Sequence, residues 1–280
     1  MFINRYREEK LFRALLLIAI VITLSSLFSI LFHIISRGIS VINWEFITGY
    51  PEDMGRSGGV FPAIVGTFYI ILVSIAVAAP VGILAAVYLT EYTRQDSKLV
   101  RIIRFATETL AGIPSIVFGL FGFAFLVIYL KLSWSIISGS LTLACMILPT
   151  IIRTAEEAIK AVPYQYREGS LALGATQWQT IYKIVLPAAL PGIITGIILS
   201  IGRVVGETAA VLLTAGSSLN LPGSIFDPAR TLSIHLYLLT FDGISFQMAY
   251  GTATILIILI LIINSLANFI MRKMSTGHNC

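Results

Sequence analysis

The chain has 280 residues, of which 57% are hydrophobic and 12% charged, and its mean hydropathy is +0.90. Average soluble domains carry about 25% charged residues, so this chain lacks the charge needed to cover a water-soluble globule. The composition excludes a disordered protein, a soluble enzyme and a disulfide-rich secreted domain. It indicates an integral membrane protein. Long uncharged runs, in place of the ~10-residue alternation of barrel strands, favour an all-α fold.

The apolar residues fall into segments of the length that a membrane-spanning helix needs, which is about 20 residues. In chain order these segments are 11–35, 63–90, 109–130, 132–152, 186–213 and 249–271. The fifth segment differs from the others because it has charged residues in mid-span. We therefore predict an all-α integral membrane protein with about six transmembrane helices.

The distribution of basic residues predicts the orientation, because cytoplasmic loops are enriched in Lys and Arg. With the N-terminus inside, 14 of the 19 Lys and Arg residues fall on the cytoplasmic side. We therefore expect a multi-pass protein of the cytoplasmic (inner) cell membrane with both termini in the cytoplasm. The net charge of +5 then reflects topology and contact with anionic lipids, and no nucleic-acid partner is predicted.

Sequence motifs for nucleotide binding, metal binding and nucleophilic catalysis are missing. No G-x-x-x-x-G-K-[ST] loop occurs, and His33, His235 and His278 are scattered along the chain instead of converging as metal ligands. The Ser and Thr residues of the apolar segments have no neighbouring His or Lys to activate them. We predict no metal site, no cofactor bound by this chain and no catalytic residue, and we expect a protein that moves a substrate without transforming it.

The cytoplasmic loop 153–187 joins the fourth and fifth segments and begins with the pattern of a short helix. Pro163 suits the first turn of a helix, and residues 164–173 are expected to be helical. Gly174 would end this helix in the left-handed conformation that glycine favours. The loop is therefore expected to fold into structure of its own.

The second half of this loop predicts another helix. Thr176 and Gln179 have the spacing of a capping box, and the helix that they begin is expected to be interrupted at Pro187 and Pro191. From geometry alone, the loop is either an amphipathic connector or a segment that docks on a partner.

The fifth segment contains two opposite charges, Arg203 and Glu207. An Arg at a helix centre costs ~2.5–3.5 kcal/mol on insertion scales. Residues four apart share a helical face, so the two side chains are expected to neutralise each other in part. One interpretation is a structural ion pair between helices. The other is an aqueous pathway in which Arg203 offers a planar fork to a tetrahedral oxyanion and Glu207 orients it.

The loop sequence resembles the cytoplasmic EAA loop of ABC importer permeases, in which E-A-A is followed by three residues, G, nine residues and I-x-L-P. The match consists of Glu168, Gly174, Ile184 and Leu186-Pro187. The sequence departs from the family where Gly169 and Ser170 replace two alanines. In the family this loop forms a coupling helix that seats on the ATP-hydrolysing subunit. The resemblance assigns ATPase coupling to Glu168, Gly169, Ser170, Leu171, Gly174 and Ala175.

The run 202–209, GRVVGETA, is similar to the G-R-x-x-G-E-T-A signature of phosphate-specific ABC importer permeases. Residues 58–67 and 88–92 match the same family and favour its PstA-type subunit. The resemblance implies the type I ABC importer permease architecture. It also implies that Arg203 and Glu207 lie in the substrate pathway, with Arg153 as a weaker candidate.

We expect three parts, an N-terminal helix and outer loop (1–60), a permease domain (61–272) and a tail (273–280). The resemblance implies a homologous permease as heterodimer partner, two ATPase subunits that hold ATP and Mg, and an external phosphate-binding protein. The expected function is ATP-driven import of inorganic phosphate, with hydrolysis on the separate subunit. An importer of another oxyanion (sulfate or molybdate), a stand-alone secondary carrier and a non-transporting scaffold are the alternatives.

Overall fold

The computed structural model describes residues 2–93 and 97–276. Its helices in chain order are α1 (Phe2–Gly38), α2 (Trp44–Thr48), α3 (Phe61–Val87), α4 (Lys98–Ala111), α5 (Ser115–Gly122), α6 (Ile136–Ala161), α7 (Tyr164–Ala172), α8 (Gln177–Thr180), α9 (Leu186–Gly206), α10 (Ala209–Thr214), α11 (Leu232–Phe241) and α12 (Phe246–Thr276). Two short strands, β1 (Pro51–Glu52) and β2 (Ser57–Gly58), pair antiparallel between α2 and α3. Arg94, which the charge pattern places in the cytoplasm, and residues 277–280 of the expected tail lie outside the described residues.

Within the described ranges, five helices are long and apolar enough to cross a membrane. They are Glu9–Gly38, Phe61–Tyr92, Ile136–Ala161, Gln177–Gly206 and Phe246–Phe269. A bent pair, in which α4 meets the helix Ser115–Tyr129 at 101°, raises the number to six if the pair is counted as one span. The prediction of about six transmembrane helices in an all-α protein is confirmed.

The third span does not begin where the sequence predicted. Thr109 belongs to α4, and the chain turns at residues 112–114 before α5 starts at Ser115. Pro114 causes this turn, because a proline pushes the residue before it out of the helical region and is itself extended here, with ψ 141°. The span predicted at 109–130 therefore combined the end of α4 with a separate membrane helix, which continues from α5 through a π-helical stretch (Phe123–Tyr129).

The core lies along α6, the most buried of the spans. In its most apolar stretch 67% of the residues are buried, compared with none in the corresponding stretch of α1. The central cluster includes Ile70 of α3, Leu143, Ile147 and Ile151 of α6, and Ile234 of α11. α6 is thus the scaffold against which the other spans are placed, whereas α1 packs against α12.

The entry of the fifth span is one continuous helix, which corrects the predicted interruption at the two prolines. Helix Gln177–Gly206 runs through Pro187 and Pro191. A π-helical turn (Ile181–Val185) precedes them, with the Leu186 amide donating to the Ile181 carbonyl. A widened turn of this kind accommodates a proline, because the proline ring crowds the carbonyl four residues earlier and cannot bond to it.

Candidate substrate pathway and coupling loop

Arg203 lies at the middle of the membrane span. α9 runs antiparallel to α6, because a Cβ on Gly192 would meet Ala158 and a Cβ on Gly196 would meet Thr154. About two helical turns beyond Gly196, this register brings Arg203 level with Ile147. That position is in the middle of the apolar part of α6, so the guanidinium is placed deep in the bilayer.

The Arg203 side chain is exposed in the single chain. The space beside it is open, since a Cβ added at Gly202 or Gly206 would meet nothing within 4 Å. Turning a guanidinium toward lipid costs ~2.5–3.5 kcal/mol on insertion scales. An exposed arginine at this depth therefore favours a surface that meets water or a polar partner and not hydrocarbon.

The predicted ion pair between Arg203 and Glu207 is wrong for this structure. α9 ends at Gly206 and Glu207 is its C-cap, with ψ 129°, and the described residues contain no ion pair between the two side chains. The Glu207 carboxylate instead accepts the Ala210 amide at 3.3 Å, which caps α10. Its backbone carbonyl accepts the Ser233 hydroxyl at 2.8 Å. The span predicted at 186–213 is therefore two helices, with Glu207 fixed at the break.

The helix break lies near the start of a neighbouring membrane helix. A Cβ on Gly119 would meet Ala210, and a Cβ on Gly122 would meet Thr214, so α5 and α10 run parallel. One turn back along each helix, Ser115 comes level with the end of α9. Helix N-termini carry a partial positive charge. The N-terminus of α5 therefore adds positive potential near the depth of Arg203.

The structure does not bring Arg153 into contact with Arg203. Arg153 lies on α6, about two turns closer to the cytoplasmic end than Ile147, where it is exposed and pairs with Glu157 at 3.4 Å. It lines a cavity of about 200 Å³ between α4 and α6. Further charged residues line the same cavity, namely Arg104, Glu108, Glu156 and Lys160. Arg153 thus belongs to a mixed-charge cluster at the cytoplasmic end of the span.

The local structure of the cytoplasmic loop agrees with the sequence prediction. α7 covers Tyr164–Ala172, and Gly174 has the left-handed φ of +86° that ends it. Thr176 and Gln179 form a capping box, with distances of 3.3 Å and 2.9 Å between each side chain and the opposite backbone amide. The loop is therefore two short helices joined at a glycine.

The six residues predicted to couple to an ATPase do not all face outward. Ser170 is buried, and its hydroxyl lies 2.8 Å from the Thr180 hydroxyl, so the serine that replaces the family's alanine ties α7 to α8. Ala175 is half-buried. The remaining four are exposed, namely Glu168, Gly169, Leu171 and Gly174. The exposed aromatic side chains Tyr164 and Tyr166 extend this face, which is uncovered in the single chain.

Two buried contacts were not found from the sequence. Arg167 of α7 binds Glu91, the residue at the end of the second span, at 2.7 Å. In the loop between the last two spans, the Arg230 Nη1 lies 3.3 Å from the Nδ1 of His235 in α11. Burial lowers the pKa of Arg230, and the negative charge of Asp242 offsets part of this decrease. The motif that includes Glu91 was visible in the sequence, but its partner lies 76 residues away.

Among residues 2–93 and 97–276, no group of His, Cys, Asp and Glu converges as a metal site.

Comparison with known proteins defines the class. Residues 78–276 match the family described as binding-protein-dependent transport system inner membrane component. The chain belongs to this family of ABC importer permeases, and it is a multi-pass membrane protein. Its fold is similar to a bacterial alginate ABC transporter solved with an alginate pentasaccharide-bound periplasmic protein, with a TM-score of 0.73, 17% identity and coverage of 95% and 96% of the two chains. The MetNI methionine ABC transporter gives a TM-score of 0.60, 24% identity and coverage of 77% and 94%. The fold is that of type I ABC importer permeases.

Two curated relatives match over nearly their whole length. The probable ABC transporter permease protein YqgI of Bacillus subtilis is 34% identical over 283 residues, which cover 95% of this chain and 96% of the relative. The phosphate transport system permease protein PstA of Pasteurella multocida is 35% identical over 275 residues, which cover 97% of each.

Proposed function

We propose that this chain is the membrane-spanning permease subunit of an ATP-driven importer of inorganic phosphate. The similarity to phosphate transport system permease proteins over 97% of both chains supports this function. The exposed guanidinium of Arg203 at mid-membrane depth is the observation that carries it, because a planar, permanently charged fork suits a tetrahedral oxyanion. Glu207, held at the helix break, keeps a carboxylate near this depth. We place both in the substrate pathway, with Arg153 at its cytoplasmic end.

Import of phosphate against the membrane potential requires a partner that supplies free energy. A dianion that enters a cell with a negative interior works against ~2.3 kcal/mol per charge per 100 mV, or about 4.6 kcal/mol before any concentration gradient. We propose that two ATPase subunits, which hold ATP and Mg, dock on the exposed residues of the coupling loop. A homologous permease completes the pathway as the second half of a heterodimer, and an external phosphate-binding protein delivers the anion. Both termini then lie in the cytoplasm.

An importer of sulfate or molybdate is the alternative within the same class. Competition separates the two functions, since labelled phosphate uptake by the complete complex should fall with excess unlabelled phosphate and persist with excess sulfate or molybdate. A stand-alone secondary carrier is distinguished by uptake that follows ion gradients and continues without ATP.

Replacing Arg203 tests the pathway. In cells that carry the full transporter, Arg203→Gln should reduce high-affinity phosphate uptake at least 100-fold, while ATPase subunits still co-purify with the permease. The physical reason is the loss of a charge-assisted, bidentate contact. Arg13→Gln is the matched control, because Arg13 is an exposed arginine of α1 that pairs with Glu9, and its uptake should equal the wild-type value. Normal uptake by Arg203→Gln would contradict the pathway role.

A further inference from the structure

The guanidinium of Arg167 holds the coupling loop against the rest of the chain. Arg167 of α7 donates from Nε to both carboxylate oxygens of Glu91, at 3.1 Å and 3.3 Å, and from Nη2 to one of them at 2.7 Å. Only 13% of the Arg167 side chain and 10% of the Glu91 side chain are exposed. Glu91 lies in the π-helical turn (Tyr88–Tyr92) that ends the second span. The ion pair therefore joins the coupling loop directly to that span.

The same guanidinium also holds the end of the fourth span. Its Nη1 donates to the Val162 carbonyl at 2.9 Å, and its Nη2 donates to the Ile159 carbonyl at 3.0 Å. The last carbonyls of a helix lack the usual partners within the helix. Arg167 binds two carbonyls at the end of α6, that of the C-cap Val162 and that of Ile159, which also accepts the Val162 amide at 3.3 Å. Gln177, the first residue of α8, donates its side-chain amide to the Glu91 carbonyl at 2.7 Å.

A lysine at position 167 could not make the hydrogen bonds that Arg167 makes. The four oxygens lie around one planar guanidinium, whereas an ammonium is a compact point charge with three donors. The ion pair of Arg13 and Glu9 lies on the surface, where 72% of the Arg13 side chain and 57% of the Glu9 side chain are exposed. Exposed ion pairs of that kind contribute little to the free energy of folding. The buried network therefore fixes geometry in a way that the surface pair does not.

We propose that Glu91 and Arg167 are positioning residues that transmit the motion of the coupling loop to the second and fourth spans. The proposal rests on the proposed function, since it requires ATPase subunits that move this loop. With the network intact, α7 moves as one body with the cytoplasmic ends of α3 and α6. Because α6 packs against α9, which carries Arg203, displacement of the loop reaches the pathway through the core. With the network broken, the ATPase can move the loop without moving the spans.

The test uses the complete transporter, with its permease pair, ATPase subunits and binding protein, reconstituted in lipid vesicles. The variants are Glu91→Gln and Arg167→Lys, and the matched controls are Glu9→Gln and Arg13→Lys in the exposed pair. One measurement is backbone hydrogen exchange in residues 163–177. The other is the number of ATP molecules hydrolysed per phosphate imported.

We expect both network variants to assemble, to exchange the amides of 163–177 at least tenfold faster and to hydrolyse at least threefold more ATP per phosphate. Both controls should match the wild type. The double variant Glu91→Arg with Arg167→Glu should not restore coupling, because a carboxylate at position 167 cannot donate to the Ile159 and Val162 carbonyls. Full rescue by this exchange of charges would overturn the tether, since it would show that charge alone is required.

Hydrogen exchange tests the tether independently of the substrate, and faster exchange with unchanged ATP hydrolysis per phosphate would overturn the transmission of motion. Unchanged exchange in 163–177 of Glu91→Gln overturns the tether, whatever the transporter imports. If Glu91→Gln loosens the loop while the wild-type complex imports no phosphate, the tether holds and the proposed substrate fails. If either network variant fails to assemble, Gln177→Ala replaces it, because this change removes one neutral hydrogen bond at an exposed side chain and should shift both measurements in the same direction by a smaller factor.

Discussion

His235 of α11 is 2% exposed, and its environment holds the imidazole in the neutral form. Arg230 can only donate a hydrogen bond, so the Nδ1 of His235 accepts from it at 3.3 Å and the proton of the neutral ring is on Nε2. A Cβ on Gly55 would meet the Cε1 of the same ring. Burial, and then the charge of Arg230, lowers the pKa of His235 to about 4. Asp242 is the carboxylate that acts electrostatically on Arg230.

This lowered pKa predicts that acid destabilises the loop between the last two spans. The unfolded imidazole has a pKa near 6.5, so the contribution of neutral His235 is fully present above about pH 6.5 and is lost as the pH falls toward 4. The difference between the two pKa values corresponds to roughly 3 kcal/mol in the free energy of unfolding. Thermal unfolding of the purified complex between pH 7 and pH 4.5 measures it.

His235→Gln should remove most of this acid dependence, because a glutamine oxygen accepts the same hydrogen bond without titrating. His33→Gln, which changes an exposed imidazole of α1, is the control and should keep the acid dependence of the wild type. An equal acid dependence in the wild type and in His235→Gln would show that other groups are responsible.

At the scale of elements, close packing of α6 and α9 sets the depth of the candidate pathway. Gly192 and Gly196 lie one turn apart on the face of α9 that touches α6, whereas Gly202 and Gly206 lie beside open space. Small residues at helix interfaces let backbones approach closely in a membrane. The two glycine pairs of the same helix therefore have opposite roles, one in packing and the other in leaving space next to Arg203.

This difference predicts that Gly196→Leu separates the two helices and lowers the stability of the protein. The new side chain would overlap Thr154, and overpacking of this kind typically costs ~1–3 kcal/mol. Gly202→Ala should leave stability unchanged or raise it slightly, since alanine is the better helix former by up to ~1 kcal/mol. The yield and the melting temperature of the detergent-solubilised complex are the measurements, and equal values for the two variants would contradict the packing role.

Local sequence patterns predicted α7, the left-handed Gly174 and the Thr176 capping box, because each depends on residues within a few positions. Apolar runs also gave the number of spans. They did not place the breaks at Pro114 and at Glu207. A proline or a charge stands at each break, but neither ends a helix by itself, as the continuous helix through Pro187 and Pro191 shows. The Arg203–Glu207 pairing was also wrong.

The buried partners of Arg167 and Arg230 were not predictable from spacing at all. The roles assigned to Arg203, Glu207, Arg153 and the coupling residues stay predictions.

At the scale of the whole molecule, the surface of the single chain is divided by depth. The exposed residues of α7 lie at the same end as the last turns of α3 and α6, and Arg203 lies near mid-span. The loop with His235 follows α10 at the opposite end, because α10 continues outward from the break that follows α9. The proposed function requires this order along the membrane normal, with substrate entry at one end and ATPase docking at the other. The distribution of Lys and Arg predicts which of the two ends faces the cytoplasm.

Cysteine labelling tests this direction in the assembled transporter. In a background with Cys145 and Cys280 replaced by alanine, Ser224→Cys should react with a membrane-impermeant maleimide added to the outside of intact cells, because Ser224 is an exposed residue of the loop between the last two spans. Gln165→Cys, an exposed position of α7, should react in inside-out vesicles and not from the outside of cells. The excess of Lys and Arg around α7 supports this orientation, since basic loops are retained in the cytoplasm. Labelling of Gln165→Cys from outside would invert the topology, and it would separate the proposed docking surface from the ATP on which the import mechanism depends.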